Sequence, residues 1–293
     1  MTGPEQKMRS ARWIIGLVAV LTCGLYGEFP RLTGPYLGQT PPGMTPEIFA
    51  PGIVSTQADE YAFEISPSGD EMLFSRSGKL ILITRKRDGI WLPPVVAPFS
   101  GKHIDGESCF SPDGKKIYFC SRRPVPGEKS VRFVWVSERS NGIWEKPVVL
   151  KNLIYSGIIH APTVAASGNI YDDGIVRFEY QNGRYLPAEK IPNLEGGFPY
   201  IAPDESYMIV SRRIPGTNNA DLFISYHNAD GTWTRSVSLG EKVNSPALEG
   251  NSFVTADGKY LFFSRKFDIY WVDAGIIEKL RPKNLTIKQG DKP

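Results

Sequence analysis

Ser108-Cys109-Phe110-Ser111-Pro112-Asp113-Gly114-Lys115-Lys116-Ile117-Tyr118-Phe119-Cys120-Ser121 is an apolar run, a turn and a second apolar run. Pro112 presets φ for the second position of a type I turn, Asp113 suits the third and Gly114 the exit. Ile, Tyr and Phe on the flanks favour strands over helix. The stretch therefore reads as a β-hairpin with its turn at residues 111–116. A two-stranded hairpin cannot cover both of its faces, so it must be one unit of a larger assembly.

Four further copies align with it. They are Glu64-Ile65-Ser66-Pro67-Ser68-Gly69 with Met72–Ser75, Val164–Gly168 with Ile170-Tyr171, Tyr200–Glu205 with Tyr207–Ser211, and Phe253–Gly258 with Tyr260–Ser264. The turn positions Gly69, Gly114, Gly168, Glu205 and Gly258 lie 45, 54, 37 and 53 residues apart, a spacing that signals propeller blades with variable loops. A third strand follows each hairpin: 80–83, 131–137, 175–180, 222–226 and 267–272. Asp88-Gly89, Asn141-Gly142, Asn182-Gly183 and Asp230-Gly231 then mark hairpin turns, because both central residues need positive φ. Fourth strands follow at 95–99, 148–153, 188–191 and 236–239.

Four antiparallel strands make one blade. The fifth repeat lacks its fourth strand and runs into Ile276, Ile277 and Leu280, a helical turn stopped by Pro282. A spare strand-like segment, 46–54, precedes repeat one. The expected fold is all-β, a single propeller of five four-stranded blades, closed by the N-terminal strand completing the last blade. Six blades is the alternative if an irregular one is hidden. Closure would remove the open sheet edges.

The run Phe110-Ser111-Pro112-Asp113-Gly114-Lys115-Lys116-Ile117-Tyr118-Phe119 resembles the TolB-like, WD40-like β-propeller repeat. Ile201–Tyr207, Asp257–Phe263 and the segment Gly34–Gln39 to Val54–Thr56 resemble a bacterial exported subgroup of that family. The resemblance covers residues 35–282 and implies a fold but no activity. Repeat three departs most: Ala165-Ala166-Ser167-Gly168 lacks Pro-Asp, and Tyr171-Asp172-Asp173 replaces Phe-Ser.

Residues 1–12 carry Lys7, Arg9 and Arg12 ahead of an uncharged run from Trp13 to Gly27. That pattern predicts a signal peptide over 1–27 or an uncleaved anchor, with lipidation at Cys23 a third route. An apolar run this short falls below the roughly 20 residues of a spanning helix. Residues 28–45, rich in Pro and Gly, read as a tether, 46–282 as the propeller and 283–293 as a loose tail. The protein is expected to be exported, periplasmic or envelope-associated, and monomeric, touching a membrane only through its N-terminal segment.

The chain has 34 Lys plus Arg and 31 Asp plus Glu, for a net charge of +3. The first 27 residues supply most of that excess, so nothing points to nucleic acid, which needs a strongly basic face. No cofactor is implied. His103, His160 and His227 lack ligand spacing with any Cys, so no metal is expected. Cys109 and Cys120 flank the central hairpin. A regular ladder places Cys109 opposite Tyr118 and Cys120 opposite Glu107, diagonal and near the limit of disulfide reach; buried thiols are the favoured reading.

Antiparallel pairing brings the start of each first strand beside the end of the second. The ends carry Arg76, Arg122, Arg212 and Arg265, and the starts carry Glu60, Asp105 and Glu107, His160, and Glu249. All but Asp105 make up the eight-residue candidate ligand site, at the end where the long loops 123–129 and 213–219 open. Arginine forks suit carboxylate, phosphate or sulfate. The expected ligand is acidic, a glycan or a peptide, or the partner is an envelope protein. The competing reading has each Arg pair with a Glu and zip adjacent blades together. Binding or scaffolding is favoured over catalysis. The alternative is a glycoside hydrolase-like enzyme using Glu60, Glu107 or Glu249 as paired carboxylates.

Overall fold

The computed structural model describes residues 29–128, 132–151, 153 and 160–283, with one compact unit running from Arg31 onward. The 1–27 signal or anchor segment, Cys23 and the 284–293 tail lie outside the described residues. No helix among the described residues is long and apolar enough to cross a membrane.

The fold is a five-bladed β-propeller. Its blades run from the axis outward as Glu60–Ile65, Glu71–Arg76, Leu80–Arg87 and Val95–Val96; Asp105–Phe110, Lys116–Ser121, Phe133–Ser140 and Val148–Val149; Thr163–Val164, Ile170–Asp172, Val176–Phe178 and Glu189–Lys190; Gly197–Ile201, Tyr207–Arg213, Ala220–Tyr226 and Val237–Ser238; and Glu249–Val254, Tyr260–Arg265, Asp268–Asp273 and Glu47–Ile48. The last of these strands is the expected closure. Glu47 pairs with Trp271 and Ile48 with Tyr270, and the Phe49 N–H donates to the Ile269 carbonyl at 2.8 Å.

Second strands are buried on both faces, which is why they read as continuous apolar runs rather than alternating ones. Apolar layers lie between blades. Leu73, Ile81 and Ile83 of blade one meet Phe110, Ile117 and Phe119 of blade two, while Phe63, Met72 and Phe74 turn the other way, towards Phe262 and Phe49. Turns are held as their sequence dictates: Asp113 accepts from the Ser111 hydroxyl at 2.6 Å and the Lys115 N–H at 3.0 Å, and Gly114 takes φ +69°.

Two expectations need correction. The first strands of four blades each carry a β-bulge, with a left-handed residue at Ala62, Glu107, Phe198 or Asn251. The bulge inserts one residue, so Cys120 pairs with Gly106 rather than Glu107, while Cys109 does face Tyr118. Both thiols are buried and unbonded. Part of the supposed tether is also docked. Leu32-Thr33 adds to Ile90-Trp91, the Trp91 indole donates to the Gly34 carbonyl at 2.9 Å, and the Tyr36 ring sits 5.1 Å from Tyr260 and 5.3 Å from Trp271.

Candidate functional site

Two of the predicted acid–arginine sets are closed structural units. Glu60, fully buried, accepts from the Thr56 N–H at 3.0 Å, the Thr56 hydroxyl at 2.7 Å and Arg76 Nε at 2.7 Å. Glu249, also fully buried, accepts from the Ser245 hydroxyl at 2.5 Å and Arg265 Nε at 2.8 Å. Each pair bridges the first two strands of one blade, so the arginines do not zip adjacent blades. In blade two the unit uses Asp105 and Arg123, 2.9 Å apart, with Ser100 donating to the same carboxylate at 3.0 Å. Arg122 is therefore released to the exposed surface, although its charge still bears on His160. Arg212 stacks on Phe223 at 3.6 Å and faces Asp221 across the ladder.

Two of the serines that precede these arginines do part of the fastening between blades. The Ser75 hydroxyl accepts from the Glu107 N–H of the next blade at 3.1 Å, and the Ser211 hydroxyl donates to the Glu249 carbonyl of the next blade at 2.6 Å.

Glu107 and His160 come together, at the junction of blades two, three and four. The bulge at Glu107, φ +47°, turns this side chain out of the ladder. Its Oε2 lies 3.3 Å from Arg132 Nη1 and its Oε1 lies 3.6 Å from His160 Nε2. Burial, reinforced by the charge of Arg132, lowers the His160 pKa, so the imidazole is neutral at pH 7 and the 3.6 Å approach is not an ion pair. Burial raises the Glu107 carboxyl to about 7 against the opposing pull of Arg132. The His160 ring packs edge-on against Phe198 at 4.9 Å.

The departures of repeat three build the rest. Asp172, at the strand position that Phe74, Phe119, Val210 and Phe263 fill in the other blades, is buried and accepts from the His160, Ala161 and Asp173 N–H groups at 2.9, 3.1 and 2.5 Å. It fixes the chain that carries His160. Burial raises its carboxyl to about 6 even so. Asp173 accepts from the Phe198 N–H at 3.2 Å and its Oδ1 lies 2.2 Å from where a Gly197 Cβ would be, so a side chain at 197 would have to displace this carboxylate.

Behind this cluster runs the axial cavity, lined by first-strand residues of all five blades, among them Glu64, Glu107, Ser108, Thr163, Pro199 and Ser252. Glu64 also lines the next cavity along, of about 190 Å³, with Tyr200 and Phe253. Its Oε2 accepts from the Phe110 N–H at 2.7 Å, a link from blade one to blade two, and burial raises its pKa to about 8.

Sequence reasoning missed Arg132, Asp172, Asp173 and Glu64. The one available signal was Tyr171-Asp172-Asp173 breaking the pattern of its repeat. Among the described residues no three His, Cys, Asp or Glu side chains are grouped to hold a metal.

No family model and no curated protein matches this chain. Solved structures do. One described as a TolB from Agrobacterium tumefaciens aligns at 14% identity and TM-score 0.44, over 70% of this chain and 69% of that one. A gluconolactonase from Xanthomonas campestris aligns at 12% identity and TM-score 0.46, over 83% and 97%. The chain shares its fold with TolB-like and other β-propellers. The GH43 protein BlXynB from Bacillus licheniformis aligns at 13% identity and TM-score 0.50, over 75% of this chain and 51% of that one, so this chain spans about half of its length. At these identities the likeness is one of fold.

Proposed function

We propose that this propeller is an exported, non-catalytic binding protein of the cell envelope, tethered or delivered by its N-terminal segment. Its ligand site is the Glu107–His160–Arg132 cluster at the mouth of the axial cavity. The observation that carries the reading is the contrast between two kinds of acid. Glu60 and Glu249 are locked by arginine and hydroxyl partners inside their own blades. Glu107 stands out of the ladder with a guanidinium, an imidazole and an aromatic ring from three blades around it. Such a mixed donor and acceptor set suits a polyhydroxylated or acidic ligand, a glycan or a peptide. Of the eight residues singled out from sequence, Glu107 and His160 belong to this site and Arg122 borders it. Arg76, Arg212, Arg265, Glu60 and Glu249 serve the scaffold.

The hydrolase alternative needs two opposed carboxylates, and two of its three candidates, Glu60 and Glu249, are tied to arginines inside their own blades, which leaves Glu107 without a partner among them.

The test is titration calorimetry of wild-type protein and of the Glu107→Gln plus Arg132→Ala double variant against acidic oligosaccharides, neutral oligosaccharides and peptides. Binding by the wild type, weakened at least about tenfold in the variant, is the expected result. Equal affinity in a variant of unchanged melting temperature would remove the site. Turnover of a chromogenic glycoside panel by the wild type would restore the hydrolase.

A further inference from the structure

The first strands run from the mouth towards the hairpin turns, and their far ends enclose the second cavity, of about 190 Å³. Each blade supplies an apolar side chain to its wall: Ile65, Phe110, Val164, Tyr200 and Phe253. The turn residues Pro203 and Ala256 line it too and are exposed, so it opens at the turn end of the axis. The Tyr200 and Phe253 rings stand at 88° with centroids 6.1 Å apart and form an apolar corner. The Tyr200 hydroxyl donates to the Val254 carbonyl at 3.2 Å, which leaves its ring as wall.

Two polar groups interrupt this wall. Glu64 accepts from the Phe110 N–H through Oε2 at 2.7 Å, and its Oε1 has no partner among the described residues. The Thr163 hydroxyl accepts from the Ile201 N–H at 3.3 Å and donates to none of them. A carboxyl withdrawn from water, with no cation beside it, keeps its proton, and a protonated carboxyl is a donor. Both groups therefore offer a hydrogen to an acceptor in the cavity. Among the described residues no Lys, Arg or His lines it, so an anion would find no counter-charge there, and a cation would find a neutral acid. An apolar cavity of about 150 Å³ holds one benzene, so the size suits a single ring. Water against apolar walls is loosely held and favourably displaced.

We infer that this turn-end cavity binds one uncharged, ring-sized molecule carrying a carbonyl oxygen, its ring against Tyr200 and Phe253 and its oxygen accepting from Glu64 Oε1. Thr163 offers a second donor to the same space. Small ketones, esters and amides are the class that fits. The site lies at the other end of the axis from the Glu107–His160–Arg132 mouth and does not depend on it.

The probe is cyclohexanone, titrated into the full chain at pH 7 while the amide signals of Phe110 and Val254 are followed by NMR. A saturable shift is expected. Cyclohexylamine and cyclohexanecarboxylate carry a charge of either sign on the same ring and should bind at least about tenfold more weakly. Glu64→Leu keeps the bulk and removes the donor, so the ketone should bind about fivefold more weakly. Glu64→Gln keeps a donor in its amide NH2 and should bind within about twofold of wild type. Burial raises Glu64 to about 8, so wild-type affinity should fall from pH 7 to pH 9 as the acid ionises, while that of Glu64→Gln should hold. Of the titratable groups facing Glu64, burial keeps Cys109 and Tyr200 protonated, and Glu107, on the narrower cavity behind it, is common to both proteins. No saturable shift, equal binding of the charged rings, or wild-type affinity in Glu64→Leu would overturn the proposal. If Glu64→Leu does not fold, the pH profiles decide, and parallel profiles in wild type and Glu64→Gln count against the site.

Discussion

At the scale of single residues, the informative comparison is between two carboxylates in equivalent positions. Glu60 has two Thr56 donors besides Arg76, whereas Glu249 has one, the Ser245 hydroxyl, besides Arg265. Arg265 also donates to the Val243 carbonyl at 2.6 Å and covers the Tyr270 ring at 4.6 Å. Removing one partner of a buried pair strands the other charge. Arg265→Ala should therefore cost roughly 3–5 kcal/mol in urea denaturation. Arg76→Ala should cost less, about 2 kcal/mol, because the remaining donors still serve Glu60. Equal losses would refute this account of the two units. The Ser-Arg repeat was legible in the sequence, but where its arginines point was not. Side-chain direction depends on register, and the bulges at Ala62, Glu107 and Asn251 shift register inside the first strand without any turn residue to announce them. The doublet Arg122-Arg123 then offered two candidates for one inward position, and Arg123 took it.

At the scale of elements, the strand that closes the ring is two residues long, yet the packing beside it is dense. Phe49 is fully buried, with ring centroids 5.0 Å from Phe63, 5.1 Å from Phe262 and 5.2 Å from Trp271. It touches blades one and five at once. The Ser55 hydroxyl, which accepts from the Ile269 N–H at 3.0 Å, and the Glu60 N–H, which donates to the Phe267 carbonyl at 2.7 Å, continue the seam. Phe49→Ala should cost roughly 3–5 kcal/mol, the usual penalty for a large cavity in a rigid core. A loss under about 1 kcal/mol would mean that closure does not depend on this seam. The closing strand was legible because arithmetic demanded it: the fifth repeat had three strands, and a spare lay in front of the first. The docking of residues 32–39 was not. Proline and glycine there suggested a tether, and nothing local shows that Tyr36 meets an aromatic wall built more than 200 residues later.

At the scale of the whole molecule, a ring of blades gathers first strands around one axis, and with them the acids Glu64 and Glu107, while Asp172 comes in from the second strand of blade three. Repeat counting from the sequence found the ring. It did not find that the ring would force Asp172, Glu107 and Glu64 out of water, because burial at an axis belongs to the assembly and not to any one repeat. All three carboxyls are raised by that burial, Asp172 to about 6, Glu107 to about 7 and Glu64 to about 8. The sign of the consequence is opposite to that of a salt-bridged acid. In the unfolded chain Asp172 titrates near the ordinary 3.8, so between there and about 6 the folded protein holds more protons than the unfolded one. Stability from this group is complete below the lower value, falls as pH rises through the interval, and is spent above it, at most roughly 1.4 kcal/mol for each pH unit crossed. Asp172→Asn keeps an oxygen for the three N–H groups that Oδ1 serves and removes the titration. Unfolding free energies measured from pH 3.5 to pH 7 for both proteins should show the difference, wild type minus variant, declining with pH and then levelling above about pH 6. A difference that stays flat, or one that grows with pH, would show that the axis leaves this carboxyl in contact with water and that the raised pKa does not exist.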